Sequence, residues 1–362
     1  MMLWVDHYCE LAGMLNQVPQ GWQATQHYYE FDRIPQNTEH VLVVGREQLR
    51  LHVDRLRELI QQGQRVIFSN PAEGATTFEQ HVRWYGVEDL VSSGQLPCVV
   101  GGTVCGVNQQ LLYDHFLTQP FRYQENCVAA LQAEENFGSA EKPYDFLMLN
   151  GRSRPHRRWM LNQLQSRGLL ARALYTCLDS HMGTIRVLPP QYEVAEYRPF
   201  MQVDQQGFVK NQLFGGKWGE IYINPAAYRD SAFSLVTETV AQGDHSFRTE
   251  KIAKCLAQAH PWIVVANRGY LRDLRDLGFQ TFGHVIDESY DTVENDQDRW
   301  QRVLLTVQDL CDQDLGAFVQ ACRSVCEHNQ QQLRELHVSL QSEFSARFWF
   351  WISKHWNLEL QL

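Results

Sequence analysis

Two stretches of this chain carry residue types that could act on a phosphorylated ligand. The first is Asn150-Gly151-Arg152-Ser153-Arg154-Pro155-His156-Arg157-Arg158, which follows an apolar run, 144–149, that reads as a strand. Four arginines where a helix begins run against the usual preference, because the helix dipole favours acidic residues in the first turn. Guanidinium forks beside backbone N–H groups suit a phosphate or pyrophosphate. The plain alternative is a solvated basic helix end. The second stretch is 233–255, FSLVTETVAQGDHSFRTEKIAKC. Phe233, Leu235 and Val236 can pair into a buried sheet, and Thr237-Glu238-Thr239 would leave it at the carboxyl end. Thr249 is placed to cap a helix over 250–259, with Glu250 in the first turn. Ligands of open α/β sheets sit outside the carboxyl ends of the strands. There Glu250 could hold a ribose diol and Lys251 a phosphate; the plain alternative is a surface helix with ordinary capping.

The elements that must position these residues follow from hydrophobic pattern. Residues 39–45 (EHVLVVG) form a short apolar run ending in Gly, and 46–62 carry Leu49, Leu51, Val53, Leu56, Leu59 and Ile60 near helical spacing until Gly63. A strand at 65–69 follows, which makes a β-α-β unit. A turn-rich loop, Asn70-Pro71-Ala72-Glu73-Gly74, leads to a helix from Phe78 and a strand at 97–100. The first ~130 residues therefore predict a small doubly wound domain. Residues 1–38 have no clear period. The polar segment 132–143 is the best linker candidate. Beyond it come a helix stopped by Gly168, a strand at 173–176, an irregular region over 180–230, a strand at 262–266 and a helix over 270–277. From Asp296 the chain reads as helical. Its aromatic segment 344–356 predicts either a terminal helix packed on the rest of the protein or a peripheral membrane or partner patch.

Composition bounds the function. A chain of 362 residues suggests two domains. A net charge of −10 argues against a general nucleic-acid-wrapping surface but leaves room for a local basic pocket. Nine scattered cysteines without a CxxC predict free thiols in a reducing compartment. With no signal-peptide pattern at the start and no run of ~18 apolar residues, a cytoplasmic protein is expected. Neither GxGxxG after a strand nor GxxxxGK[ST] is present, so nicotinamide dehydrogenases and P-loop proteins lose their main support. Absence of HExxH, paired CxxC and HxH gives no indication of a tightly bound metal, and absence of GxSxG weakens an α/β-hydrolase.

The segment Phe233 to Thr239, followed by Phe247-Arg248-Thr249-Glu250-Lys251, resembles the donor-site signature of the α1,3-fucosyltransferase-like glycosyltransferases. That family has a Phe-containing strand ending in Glu-Asn-Ser, then Tyr-x-Thr-Glu-Lys opening a helix. Of the tripeptide only Glu238 carries over, and Phe247 stands where the family often has Tyr. The resemblance covers roughly residues 144–292. It implies two Rossmann-like domains facing across a cleft, here 1–135 and 144–295, with C-terminal helices at 296–362 crossing back to the first. It implies donor contacts from Glu250 to the ribose hydroxyls, from Lys251 to a phosphate, and from Arg152 or Arg154 to a phosphate, with Glu238 and Thr249 completing the donor site. The expected reaction is transfer of a sugar from a nucleotide sugar to an acceptor hydroxyl, with inversion and with no metal or other cofactor. Arg152, Arg154 and Lys251 would neutralise the leaving diphosphate. Glu73, in a loop after a first-domain strand, is the best candidate base, and His81 a lesser one.

The acceptor stays open among a glycan, a lipid-linked sugar, a protein and a small molecule. A second possibility keeps the donor site and makes a modified DNA base the acceptor, as in some phage enzymes. A third is a non-catalytic nucleotide- or partner-binding protein of the same fold.

Overall fold

A computed structural model of the chain describes residues 2–6, 11, 15, 18–27, 40–45, 49–50, 52–70, 78–104, 107, 109–114, 117, 133–138, 141–192, 199–203, 209–211, 224–243 and 245–359. The chain divides into two compact units, Met1–His115 with Leu336–Leu362, and Phe116–Glu335.

The first unit is built on a parallel sheet. Its strands are β1 (Met2–Asp6), β2 (Gln23–His27), β3 (His40–Gly45), β4 (Arg65–Asn70), β5 (Cys98–Val100) and β6 (Gln110–Leu112). They lie in the order β2-β1-β3-β4-β5-β6. The strand read from HVLVVG is β3, whose last five residues are all buried, as a strand covered on both faces requires. Helix α1 (Val53–Gln61) buries Leu56 and Leu59, and Gly63, at φ +87°, turns the chain into β4. Helices α2 (Phe78–Trp84) and α3 (Glu88–Ser92) add Phe78, Val82, Leu90 and Val91 to the same core. Two strands lie within the first 38 residues, where no period is visible. The sequence of β2, QATQH, has no apolar alternation, and its place at the sheet edge asks for little.

The second unit holds a four-stranded parallel sheet. Its strands are β7 (Tyr144–Asn150), β8 (Ala173–Cys177), β11 (Ser231–Thr237) and β12 (Trp262–Val265), in the order β12-β11-β7-β8. A short antiparallel pair, β9 (Pro199–Val203) and β10 (Val209–Asn211), lies between β8 and β11 in the chain. The helices are α4 (Ala133–Phe137), α5 (Pro155–Ser166), α6 (Pro225–Arg229), α7 (Glu250–Ala257), α8 (Tyr270–Asp276) and α9 (Asp296–Cys311). The expected linker contains α4. There the polar side chain of Asn136 is buried and donates to the carbonyls of Gln258 and Ala259, the latter at 2.7 Å. Ala259 has φ +46°, unusual for a non-glycine residue, and this bond helps hold it. A polar run can thus be a fastening as well as a spacer.

One long helix, α10 (Leu315–Trp356), belongs to the second unit up to Glu335 and to the first from Leu336. In the first unit its aromatic segment is core. Phe344, Phe348, Trp349 and Ile352 are fully buried with Leu3, Val5, Val41, Val43, Ile67 and Val99. The Trp349 ring meets Trp22 edge-on at 5.0 Å. Phe350 is the large aromatic residue of this segment left exposed. Among the described residues, no helix is long and apolar enough to cross a membrane.

Candidate functional site

Within the second unit, β7 and β11 are neighbours, yet the chain leaves them in opposite directions. From β7 it crosses through α5 to β8 on one side; from β11 it crosses through α7 to β12 on the other. Adjacent crossovers that diverge in this way open a crevice at the carboxyl ends of the strands. Residues 151–154 join the end of β7 to α5, and Thr249–Lys251 open α7 in the connection that follows β11.

Polar side chains stitch the strand ends together. The Thr237 hydroxyl donates to Asn150 Oδ1 at 2.5 Å, and Thr176 Oγ1 accepts the Asn150 N–H at 2.8 Å. Asn150 is fully buried, and its Nδ2 has no hydrogen-bond partner. That is a costly state for a buried amide unless a ligand or solvent supplies an acceptor. The Nε of Arg154 is likewise buried without a partner.

Helix α5 begins unusually. Its N-cap is Arg154, no side chain caps it, Pro155 occupies the first turn, and no acidic residue follows. Its own first turn therefore supplies no acidic residue to its positive dipole end. The loop before it is fixed by Asp179, which accepts the Ser153 N–H at 2.7 Å. Burial pushes the Asp179 carboxyl up, but hydrogen bonds from Ser153 and His181 outweigh this and leave it below the usual range.

The four arginines separate by role. Arg157 is buried and spent on the fold, donating to the carbonyls of Thr237, Glu238 and Arg152 at 2.9 Å, 3.2 Å and 2.9 Å respectively. This corrects the expectation of a four-arginine anion cluster: Arg157 satisfies backbone carbonyls at the end of β11. Arg158 is exposed and donates to Ser153 Oγ. Arg152 is exposed and Arg154 half-buried, with Nη1 of Arg154 3.2 Å from Ser153 O. His156 is buried and its Nε2 lies 2.7 Å from Glu238 O, so the ring is protonated on that nitrogen. Burial, then the charges of Arg157, Arg154 and Lys251, push its pKa well below the ordinary value, against the pull of that hydrogen bond. Arg154 and Lys251 thus act on one ring from two crossovers.

On the α7 side, Thr249 is the N-cap as its position predicts, accepting the Lys251 N–H at 3.3 Å. Glu250 and Lys251 contact one another, Oε1 to Nζ at 2.6 Å, with side chains 10% and 20% exposed. Burial pushes the Glu250 carboxyl up, but Lys251 and Lys254 outweigh it and the net shift is downward. Lys251 Nζ also donates to Thr239 Oγ1 at 3.1 Å and Thr249 Oγ1 at 3.2 Å. Glu238 is fully buried and accepts from Tyr270 OH, the Thr249 and Thr239 N–H groups, and the Thr249 hydroxyl. Glu238, Thr249, Glu250 and Lys251 are therefore one connected group.

Sequence reasoning did not single out Asn150, Thr239, Tyr270 or Asp179. A polar residue ending an apolar strand was the available signal for Asn150, and a polar residue two positions past one for Asp179. Nothing local marks Tyr270, which arrives from the next crossover. Glu73 lies outside the described residues. His81 is buried in the first unit, its Nδ1 3.2 Å from Asn70 Nδ2 and its ring stacked on Tyr85. Among the described residues, no three His, Cys, Asp or Glu side chains are grouped to hold a metal ion, and the described cysteines are free and buried.

No protein-family model and no curated protein matches this chain. Among solved structures, the crystal structure of an α1,3-fucosyltransferase with GDP is similar over 87% of this chain and 82% of that one, at 8% identity and a TM-score of 0.38.

Proposed function

We propose that the second unit binds the diphosphate of a nucleotide sugar at this switch point, and that the chain is a glycosyltransferase. One observation carries the reading. Two buried donors stand without a partner here, Asn150 Nδ2 at the end of β7 and Arg154 Nε at the N-cap of α5, a helix start that no side chain caps. Arg154 and Lys251 each add, after burial and Arg157, to the downward push on the His156 pKa. An anion with several oxygens is the ligand class that satisfies such a set. The sequence resemblance in residues 233–251 supports the same class independently.

In the proposed reaction the acceptor hydroxyl attacks the anomeric carbon. The new C–O bond forms as the bond to the diphosphate breaks, with inversion, and the hydroxyl proton goes to a base. Arg152, Arg154 and Lys251 would stabilise the departing diphosphate in place of a metal. Glu250 would hold the ribose hydroxyls, and Glu73 is the proposed base. The acceptor is a hydroxyl of a glycan, lipid-linked sugar, protein or small molecule.

A thermal-shift panel of UDP, GDP, CMP and dTDP sugars tests the donor site. A ligand at 100-fold its Kd stabilises by about 2.7 kcal/mol, a shift of ~5–10 °C for a unit of this size. No shift with any of them would refute the proposal. A shift without donor hydrolysis or transfer would identify a non-catalytic binding protein instead, and transfer to hydroxymethylated duplex DNA a base-modifying enzyme.

A further inference from the structure

We propose that Glu238 is a positioning residue which, without touching the ligand, fixes the Lys251 ammonium through two threonine hydroxyls. The inference deepens the donor-site reading and rests on it only for the identity of the anion that Lys251 meets.

Hydrogen-bond polarity sets this arrangement. An ionised carboxylate can only accept. Both oxygens of Glu238 are in use: Oε1 accepts from Tyr270 OH at 2.7 Å and from the Thr249 N–H at 3.2 Å, while Oε2 accepts from the Thr249 hydroxyl at 2.5 Å and the Thr239 N–H at 3.2 Å. Thr249 has one hydroxyl proton, and Glu238 claims it. The remaining lone pairs of Thr249 Oγ1 must then face the Lys251 N–H and Nζ, at 3.3 Å and 3.2 Å. Glu238 thereby fixes the direction of the hydroxyl as well as its place. It also holds the backbone of Thr239, whose hydroxyl accepts from the same ammonium at 3.1 Å. Two of the oxygens around Lys251 Nζ are set by one buried carboxylate that lies outside the contact itself. The end of the brace is anchored too, because Glu238 O accepts from His156 Nε2 and Arg157. Loop, cap and ammonium are one rigid piece, arranged before any ligand arrives.

A glutamine at this position has nearly the same shape but the wrong polarity. With its amide nitrogen in place of Oε2, it points N–H groups at the Thr239 N–H and reverses the Thr249 hydroxyl, turning that proton toward Lys251. With the nitrogen in place of Oε1, it faces the Thr249 N–H. Either way the setting of the ammonium is disturbed while the packing volume is kept.

The test reads Lys251 directly. The full-length chain is acylated with limiting acetic anhydride, and modification at Lys251 is quantified by mass spectrometry against the exposed Lys354. Glu238→Gln and Thr249→Val should each raise Lys251 modification at least threefold relative to Lys354, whereas Thr249→Ser, which keeps the hydroxyl, should match the wild type. Inorganic pyrophosphate binding, measured by calorimetry, should weaken at least fivefold in Glu238→Gln and Thr249→Val and stay near wild type in Thr249→Ser. A folded Glu238→Gln protein whose Lys251 is modified as in the wild type overturns the proposal. If Glu238→Gln does not fold, wild-type Lys251 modification in Thr249→Val overturns it equally. Wild-type protein that binds no pyrophosphate refutes the donor-site reading and leaves the labelling result to decide the positioning role.

Discussion

Glu250→Gln is the perturbation whose sign is most informative. In the structure Glu250 Oε1 is 2.6 Å from Lys251 Nζ, and both side chains are largely covered. A phosphate approaching Lys251 therefore meets a carboxylate already bound there. Two unit negative charges ~5 Å apart at an effective dielectric constant of ~20 repel by about 3 kcal/mol. The charge-assisted hydrogen bond that must be exchanged is worth roughly 1.5–3 kcal/mol, most of it regained from the new partner. Neutralising Glu250 should thus tighten inorganic pyrophosphate binding by about 2–3 kcal/mol, ~30- to 150-fold. The same substitution weakens the proposed contact to ribose hydroxyls, by roughly 1–2 kcal/mol. Affinity for a whole nucleoside diphosphate should then change little, while the gap between it and bare pyrophosphate closes. Titration calorimetry of both ligands on wild-type and Glu250→Gln protein, at one pH and ionic strength, measures this. Pyrophosphate affinity that is unchanged or weaker in a folded Glu250→Gln protein would refute the reasoning, because the pair would then not compete with an anion. Acid stability gives a second readout. The folded pKa of Glu250 lies below its ordinary value of 4.5. Its contribution is fully present above pH 4.5 and is lost as pH falls through the lowered value. The acid limb of stability should be shallower in Glu250→Gln.

Arg154→Ala should weaken pyrophosphate binding by about 1.5–3 kcal/mol, ~10- to 150-fold, with a melting temperature within a few degrees of wild type, since its one described bond is to the neighbouring Ser153 carbonyl. Equal affinity by calorimetry would remove Arg154 from the phosphate site. Glu73→Gln should abolish sugar transfer while leaving the thermal shift by the donor intact; wild-type turnover would strip Glu73 of its role as base. His260 is buried between Ser231 and Ser234, and burial lowers its pKa from 6.5 to about 4. The unfolded chain therefore takes up the proton first as pH falls. Stability from this group is full above pH 6.5 and is lost progressively down to pH ~4, by about 3 kcal/mol. Urea midpoints of wild type and His260→Asn should converge toward pH 4, and parallel curves across this range would contradict the assignment.

Much of the sheet framework was legible because buried parallel strands are short apolar runs bounded by Gly, Pro or polar residues. HVLVVG, RVIFSN, YDFLMLN and SAFSLVT announce themselves, and Thr249 is visible as a cap from its neighbours. The edge strand QATQH was hidden for the converse reason: with no partner on one side among the described residues, it needs no apolar alternation. The helix within 132–143 was hidden because its polar residues serve carbonyls far along the chain, at Gln258 and Ala259. The candidate site divides in the same way. Thr249, Glu250 and Lys251 are adjacent in the chain, so their grouping could be read. Arg157 looked equivalent to Arg152 and Arg154 because its partners, the carbonyls of Thr237 and Glu238, lie some 80 residues away.

That same long-range bonding explains why the site sits where it does. A parallel strand that ends leaves carbonyls and side chains facing out of the sheet, and its next connection must cover them. Where neighbouring connections depart in the same direction, each covers the next. At β7 and β11 they depart in opposite directions, so the strand ends have to be closed by side chains. Arg157, His156, Asn150 and Thr237 do this from within. What they leave unmet is one amide N–H pair on Asn150 and one guanidinium N–H on Arg154, which the oxygens of the proposed ligand would complete. On the proposed reading the strand order sets where a ligand binds, and the residues around that point decide which ligand it is.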